Sequence, residues 1–244
     1  MNGRMRVAVI GGTGLCGGHV VDALGRIGHD AVVVARSRGV DVATGEGLDD
    51  ALAGAEAVID VTNAPAPEEL GAMTGRLLGA EERAGVAHHV LLSIVGIDRV
   101  EGNPHYAGKR RQEELVRTGP LPWTILRATQ FHEFATQIVD WTLSDGTATV
   151  PPLLLQPVAA ADVGDVLAEV ATGAPRGTLE LAGPETQDLV DMARRAADAA
   201  GRPVRLVPSW RGGVFGPEMA GEVLLPGPDA RLAPTTFQTW LASA

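Results

Sequence analysis

The stretch Arg6-Val-Ala-Val-Ile-Gly-Gly-Thr-Gly-Leu-Cys-Gly-Gly18 runs from an apolar strand directly into a glycine-rich turn. Its glycines have the spacing Gly11-x-x-Gly14-x-x-Gly17, and an amphipathic helix is predicted to follow. The first glycine permits the tight bend, the second lets a diphosphate approach the backbone, and the third lets the helix pack closely on the strand. The helix N-terminus then offers N–H groups and a positive dipole to the anion. The stretch therefore predicts a dinucleotide-binding site.

The composition indicates a globular protein with a sizeable core. The chain has 244 residues, 45% of them apolar, which is enough for one domain or one domain with a small appendage. Its formal net charge is −10 without a long basic patch, so we expect no nucleic-acid partner. No apolar run reaches the roughly 20 residues that span a bilayer, and no secretory signal pattern begins the chain. We expect a cytoplasmic protein with no membrane partner.

The single cysteine and the six histidines bear on disulfides and metals. Cys16 has no second cysteine to pair with, which fits a reducing compartment. At a helix N-terminus its thiolate would be stabilised, so Cys16 is either a small residue that packs the loop or a redox switch. The histidines show no spacing typical of metal ligands, and we expect no metal.

Apolar runs alternate with helical periodicity over the first 150 residues. The predicted strands are 6–10, 31–35, 57–61, 89–95 and 123–127, and the predicted helices are 14–27, 46–53, 68–84, 106–117 and 130–143. Strands that lack an alternating polar face and are separated by helices favour a parallel sheet covered on both sides. The prediction is an α/β, Rossmann-like, doubly wound parallel sheet whose ligand binds at the carboxyl ends of the strands.

The pattern changes beyond about residue 149, where two prolines interrupt the chain. Helices are predicted at 160–171 and 187–200 and short strands at 178–181 and 204–207. Residues 209–234 lack periodicity, which is typical of a functional lid or a mobile segment. We therefore predict a cofactor-binding core at 1–150 and, at 151–244, a smaller region partly interleaved with it that contributes to the substrate pocket.

The end of the second predicted strand bears on the choice of dinucleotide. Proteins that bind the unphosphorylated cofactor usually carry Asp or Glu here, to accept hydrogen bonds from the ribose 2′-hydroxyl. This chain instead has Arg36 and Ser37, whose guanidinium and hydroxyl can donate to a 2′-phosphate. The alternative is a solvated arginine at a loop entrance. The arginine and the serine at this position favour NADP over NAD.

Further motifs follow the glycine turn along the chain. They are Asp41-Val42 before Gly45-Glu-Gly-Leu48, Ala57-Val-Ile-Asp-Val-Thr-Asn63, Leu91-Leu-Ser-Ile-Val-Gly-Ile97, Pro122-Trp-Thr-Ile-Leu-Arg127-Ala-Thr-Gln-Phe131 and Thr235-Thr-Phe-Gln-Thr-Trp-Leu241. With these motifs the chain resembles the atypical short-chain dehydrogenases/reductases, specifically the NmrA-like NAD(P)H-binding group, over nearly its whole length.

The resemblance implies a set of residues around the cofactor. Asp41 and Val42 would flank the adenine, Val61 to Asn63 would run beside the adenosine ribose and pyrophosphate, and Ser93 to Val95 would approach the nicotinamide. The segment after Arg127 would close over the nicotinamide. The full predicted set is Gly11, Thr13, Gly14, Leu15, Cys16, Gly17, Arg36, Ser37, Asp41, Val42, Val61, Thr62, Asn63, Ser93, Ile94, Val95, Lys109, Ala128, Thr129 and Gln130.

The catalytic motif departs from the pattern of these dehydrogenases. They use Tyr-x-x-x-Lys, in which the lysine holds the ribose and lowers the pKa of the tyrosine that donates a proton. Here His105 stands four residues before Lys109, and Tyr106 stands three before it. Both spacings lie on one helical face, so either side chain could reach the lysine. We predict Lys109, Tyr106 and Ser93 as catalytic residues; the alternatives are a surface Lys109–Glu113 pair and a serine that satisfies loop backbone.

The segment after the strand at 123–127 is apolar and aromatic, as expected of a small-molecule pocket. Phe131, His132 and Trp141 are the predicted substrate residues. The alternative for His132 is a structural role among aromatic side chains.

Taken with the resemblance, these residues imply an NADPH-dependent reductase. Hydride would pass to a ketone, enone or quinone-like acceptor, with Lys109, Tyr106 or water supplying the proton. One alternative is an NmrA-like regulator that senses NADP(H) without turnover. Another is a redox-neutral enzyme with bound NADP. The substrate and the oligomeric state stay open.

Overall fold

A computed structural model describes residues 3–64, 66–211 and 215–243. The chain forms two compact units, each built from several segments. The first comprises Met1–Ile94, Pro104–Arg127 and Val163–Leu179, and the second comprises Val95–Asn103, Ala128–Asp162 and Glu180–Ala244. None of the described helices is both long and apolar enough to cross a membrane.

Strands and helices alternate along most of the chain. The strands are β1 Arg6–Ile10, β2 Asp30–Val34, β3 Ala57–Asp60, β4 His88–Ile94, β5 Trp123–Ala128, β6 Thr147–Val150, β7 Leu154–Leu155, β8 Gly177–Ala182, β9 Gln187–Asp188, β10 Arg205–Pro208 and β11 Arg231–Leu232. The helices are α1 Leu15–Arg26, α2 Leu48–Leu52, α3 Pro67–Ala84, α4 Pro104–Thr118, α5 Phe134–Thr142, α6 Ala160–Ala171, α7 Leu189–Ala199 and α8 Phe237–Leu241. Short 3₁₀ turns lie at Arg36–Arg38, Pro217–Met219 and Gly221–Leu224.

Seven strands form one sheet in the order β11-β8-β5-β4-β3-β1-β2. Strand β1 pairs in parallel with both β2 and β3, and β3 pairs in parallel with β4. The order reverses at β1, because β2 lies on one side of it and β3 on the other, as in a doubly wound sheet. The predicted fold class is confirmed.

The central strands form the core because they are apolar on both faces. All residues of β3 are buried, and so are those of β1 after Arg6. One buried cluster joins β1 and β3 to α2 and α3 and includes Ile10, Val58, Leu52 and Leu77. This burial fixes the carboxyl ends of β1 and β3, from which the candidate site is built.

The prediction of a helix at 130–143 was wrong for its first four residues, because α5 begins at Phe134. The segment at Val158 pairs with residues 130–132, and residues 132–133 then form a turn before the helix. The Val158 N–H donates to the Gln130 carbonyl at 2.9 Å, the His132 N–H donates to the Val158 carbonyl at 3.0 Å, and Phe131 forms an isolated bridge to Val158. Long-range backbone pairing therefore replaces the local helical preference.

The remaining elements of the second unit are small. Strands β6 and β10 pair in parallel, and β7 pairs antiparallel with β9. The predicted helix 187–200 starts two residues late, at Leu189, because Asp188 ends β9 and caps α7 by accepting the Asp191 N–H at 3.0 Å. Within the irregular stretch 209–234, residues 212–214 lie outside the described residues, and the rest contains β11 and two 3₁₀ turns.

Candidate dinucleotide site

The glycine turn between β1 and α1 has the geometry of a phosphate cradle. Gly11 has φ +82°, a conformation that L side chains rarely adopt, and its carbonyl accepts the Gly14 N–H at 2.9 Å. A Cβ on Gly17 would overlap that same carbonyl oxygen. Gly14 caps α1 without a side chain, so no side-chain oxygen competes for the first amides of the helix. The tight turn at Gly11 and the close helix packing at Gly17 agree with the predicted roles, whereas the approach of a diphosphate at Gly14 stays a prediction.

The residues between these glycines divide by exposure. Thr13, Gly14 and Leu15 are exposed, and Leu15 retains 44% of its accessible surface. Cys16 is buried at 7% exposed, inside the first turn of α1. Its burial supports the packing role over the redox role, because a redox-active thiol needs access to solvent.

The basic turn lies beside the glycine turn. The Gly11 N–H donates to the Val34 carbonyl at 2.9 Å, which brings the end of β2 to the start of the cradle. Arg36, Ser37 and Arg38 then form an exposed 3₁₀ turn. Within the described residues no acidic side chain pairs with Arg36 or Arg38. Two guanidinium groups therefore remain available to an anion.

The pair predicted to flank the adenine forms part of a tight turn. The Asp41 carboxylate accepts the Ala43 N–H at 2.8 Å, and the Asp41 N–H donates to the Glu46 carbonyl at 3.0 Å. Val42 is only 7% exposed and packs into the core cluster. The side chain of Asp41 therefore shapes this turn, and Val42 anchors it.

The loop after β3 also reaches the glycine turn. The Val61 N–H donates to the Ile10 carbonyl at 3.1 Å, and a Cβ on Gly11 would come within 3.3 Å of Val61 Cγ2. Asn63 is exposed, and its side-chain oxygen accepts the Ala64 N–H at 3.0 Å. The structure thus brings Val61 against the cradle, and the contacts of Val61 to Asn63 with the ribose and pyrophosphate stay a prediction.

Lys109 is buried at 5% exposed on α4. Its Nζ donates to the Thr62 carbonyl at 3.0 Å, the Leu92 carbonyl at 3.1 Å and Gln112 Oε1 at 3.0 Å. An ammonium has three N–H groups, so these bonds engage all of them. Burial lowers the pKa of Lys109 below its ordinary value, opposed by the negative charges of Asp60 and Glu113.

Two buried residues that sequence reasoning missed complete this network. Gln112 is fully buried and donates from Nε2 to Asp60 Oδ2 at 2.9 Å. Asp60 is also fully buried, and its Oδ1 accepts the Thr62 N–H at 2.8 Å. A usable signal was a carboxylate that ends an apolar strand, together with the single lysine among 20 Lys and Arg residues. Neither signal predicts that the two groups meet through a glutamine.

The surface pair of Lys109 and Glu113, the alternative to a functional Lys109, is not formed. The Glu113 carboxylate instead accepts two bonds from Arg127, at 2.8 and 2.7 Å, and one from Arg117 at 3.0 Å. Glu113 therefore joins α4 to β5, whereas Lys109 reaches the loop after β3 and the carboxyl end of β4.

The other predicted catalytic residues are also buried. Tyr106 is 2% exposed, and its ring meets that of His105 edge-on with centroids 6.0 Å apart. Burial lowers the pKa of His105, and the charge of Lys109 lowers it further, so the imidazole is neutral at pH 7. Ser93 is 1% exposed near the end of β4, and among the described residues its Oγ has no hydrogen-bond partner. An unsatisfied buried hydroxyl is costly, so Ser93 is suited to bind a polar ligand atom.

The second unit holds the predicted residues Val95 and Ala128 to Gln130. The Val95 N–H donates to the Ala128 carbonyl at 3.0 Å. Thr129 Oγ1 donates to the Gln156 carbonyl at 2.6 Å, and the Thr129 N–H donates to the Leu181 carbonyl at 3.0 Å. This segment is therefore fixed mainly through its backbone.

The predicted substrate residues do not form one cluster. His132 is 1% exposed, packs against the rings of Phe237 and Trp240, and bonds through Nε2 to the Thr235 carbonyl at 3.1 Å. Trp141 is 62% exposed, and its ring contacts Phe134. Among the described rings none joins His132 to Trp141. These contacts support the structural alternative for His132, which anchors the segment that leads into α8.

A family model described as NAD(P)H-binding matches residues 11–174, more than half of the chain. The match begins at the first glycine of the cradle and includes Arg36, Thr62 and Lys109. Curated protein sequences give no significant match.

Several solved structures share the fold. A nucleoside-diphosphate-sugar epimerase from Staphylococcus aureus is 16% identical, with a TM-score of 0.73 over 97% of this chain and 99% of its own. The triphenylmethane reductase of Citrobacter sp., complexed with NADP(H), is 18% identical, with a TM-score of 0.64 over 84% and 79%. NmrA, a negative transcriptional regulator in complex with NAD, is 21% identical, with a TM-score of 0.66 over 85% and 75%. At such identities the likeness shows the fold alone.

Proposed function

Because the chain belongs to the NAD(P)H-binding family, as its resemblance to atypical short-chain dehydrogenases predicted, we propose that it is an NADP(H)-dependent reductase. The observation that carries the proposal is the exposed basic turn beside the glycine cradle. Arg36 and Arg38 have no described acidic partner, and the Gly11–Val34 hydrogen bond holds their turn next to the cradle. The guanidinium groups of Arg36 and Arg38 can donate hydrogen bonds to a ribose 2′-phosphate. The turn has no carboxylate of the kind that usually accepts a hydrogen bond from the 2′-hydroxyl of NAD.

The reaction is the reduction of a ketone, enone or quinone-like acceptor. When bound, NADPH supplies a hydride, and a proton from the site or from water completes the reduction. The buried Ser93 hydroxyl donates a hydrogen bond to the acceptor oxygen or to the cofactor amide. The proton comes from Tyr106 or water, because all three N–H groups of Lys109 are engaged within the protein.

A regulatory role without turnover is the second candidate. Two observations favour it: His105 replaces the tyrosine of the usual motif, and Lys109 offers no N–H group to a ribose. NmrA, a negative transcriptional regulator, shares the fold. The solved reductase complexed with NADP(H) shares it equally, and the basic turn suits the phosphorylated cofactor, so we place the reductase first.

Two measurements test the proposal. NADPH oxidation is followed at 340 nm across ketones, enones and quinones, and NADP⁺ and NAD⁺ binding are measured calorimetrically in parallel. We expect turnover with at least one acceptor class and tighter binding of NADP⁺. Tight NADP⁺ binding without turnover, together with a reproducible protein partner, would favour the regulator. Absence of binding to either dinucleotide would reject both roles.

A further inference from the structure

We infer that Lys109 is a positioning residue, whose buried ammonium fixes the loop after β3 and the carboxyl end of strand β4 for cofactor binding and is itself held by Gln112 and Asp60. The inference rests on the proposed function, because it concerns the same dinucleotide site. In this role Lys109 acts through the backbone carbonyls it holds, and it neither contacts the ribose nor transfers a proton.

The backbone of Thr62 is held on both sides by this network. Its N–H donates to Asp60 Oδ1 at 2.8 Å, and its carbonyl accepts Lys109 Nζ at 3.0 Å. The backbone N–H and the backbone carbonyl of Thr62 are therefore both held by buried charged side chains. Thr62 lies one residue beyond Val61, which contacts the glycine cradle. Movement at Thr62 would move the wall of the cradle.

The backbone carbonyl of Leu92 is a second acceptor for the ammonium of Lys109. It accepts Lys109 Nζ at 3.1 Å and directly precedes Ser93, the buried serine with an unsatisfied hydroxyl. The same ammonium thus holds the segment before Ser93 and the loop at Thr62. Because both carbonyls belong to the chain itself, the bonds preorganise the site before any ligand arrives.

Gln112 links the buried ammonium of Lys109 to the buried carboxylate of Asp60, and we call this link the relay. Asp60 is buried and accepts two bonds from neutral donors, so its charge needs a buried cation nearby. Gln112 bridges the two groups, donating to Asp60 at 2.9 Å and accepting from Lys109 at 3.0 Å. An ammonium presents three donors around one atom, which suits three converging oxygens, whereas a guanidinium presents a flat fork. An ammonium therefore suits position 109 better than a guanidinium.

The decisive variant is Lys109→Met, which keeps an unbranched side chain but removes every N–H group. A positioning role predicts that NADP⁺ binds roughly tenfold or more weakly, because the hydrogen bonds that the ammonium donates to the Thr62 and Leu92 carbonyls are lost. Arg111→Met is the matched control, because Arg111 is an exposed cation on the same helix that pairs with Glu114 at 2.6 Å. The Arg111→Met variant should bind NADP⁺ with the same affinity as the parent.

Gln112→Met tests the relay without touching Lys109, and it covers the case in which Lys109→Met fails to fold. With lysine labelled with ¹³C at Cε and ¹⁵N at Nζ, the chain gives one side-chain signal, since it has one lysine. We expect the ammonium protons to exchange slowly with water in the parent and in Arg111→Met, and faster in Gln112→Met. NADP⁺ affinity should fall in Gln112→Met as well.

The outcomes separate the two proposals. A parent that binds no NADP(H) refutes the proposed function. If the parent binds NADP⁺ and Lys109→Met binds it equally well but loses kcat, Lys109 is a catalytic group and the positioning role is wrong. Unchanged exchange and unchanged affinity in Gln112→Met would refute the relay. Lys109→Arg should not restore parent affinity, and full restoration would contradict the geometric argument.

Discussion

Replacing Gly17 by alanine tests whether the turn between β1 and α1 is the dinucleotide cradle. The new Cβ would overlap the Gly11 carbonyl oxygen and lie 2.7 Å from Gly12 Cα. Both are backbone atoms of the turn, so the turn itself must open to accept the methyl group. The next residue, Gly18, has no atom within 4 Å of an added Cβ. Gly18→Ala is therefore a control that adds the same methyl group one position away.

The expected magnitudes follow from this difference in packing. Overpacking a close-packed site costs about 1–3 kcal/mol, and we expect Gly17→Ala to lower the free energy of unfolding by that amount. Displacement of the turn also withdraws its amides from the diphosphate. A comparable loss of binding free energy weakens NADP⁺ affinity by roughly 10- to 100-fold, at about 1.4 kcal/mol per factor of ten. Gly18→Ala should gain about 0.5–1 kcal/mol, because alanine is the better helix former.

Urea unfolding and calorimetric titration with NADP⁺ measure the two effects on the same samples. Circular dichroism checks that both variants keep the fold. If Gly17→Ala binds NADP⁺ as tightly as Gly18→Ala does, the cradle is not the phosphate site, and the reasoning from the glycine geometry is refuted.

Two further predictions concern stability. Glu113→Ala should lower the free energy of unfolding by about 3–5 kcal/mol because it removes the buried carboxylate that accepts hydrogen bonds from Arg127 and Arg117. Glu114→Ala, which removes an exposed ion pair, should cost under about 1 kcal/mol in the same urea experiment. Burial lowers the pKa of His132 in the folded state, so the unfolded chain takes up the proton first and stability should fall as the pH drops below about 6.5. His132→Gln should reduce that loss by up to about 1.4 kcal/mol per pH unit, and an unchanged pH slope of unfolding would contradict the assignment.

Local patterns along the chain predict the cradle and the central strands. The bounds of β1 match the predicted strand, and the glycine spacing predicts the turn, because each depends on neighbouring residues alone. Arg36 and Ser37 are likewise predicted to follow β2 directly, and the structure places them there. Short-range order and the known periods of strands and helices suffice for this part of the molecule.

The network around Lys109 depends on contacts between distant residues. Lys109 meets Thr62 across 47 positions, and Gln112 meets Asp60 across 52, and no spacing rule connects them. The same limit explains the wrong helix start before Phe134, where pairing with Val158 overrides local propensity. A surface lysine and a buried lysine with three hydrogen-bond acceptors look alike in sequence. The effect of burial on the pKa of Lys109 therefore becomes visible only in the structure.

We propose that this dinucleotide site selects NADP(H) through its basic turn. Parallel titrations of the parent and of Arg36→Ala with NADPH and NADH test it most directly. We predict that the parent binds NADPH more tightly than NADH, and that Arg36→Ala narrows the difference by about 1–3 kcal/mol, the range for a charge-assisted hydrogen bond. Equal affinities of the parent for the two cofactors, or an unchanged preference in Arg36→Ala, would contradict the account.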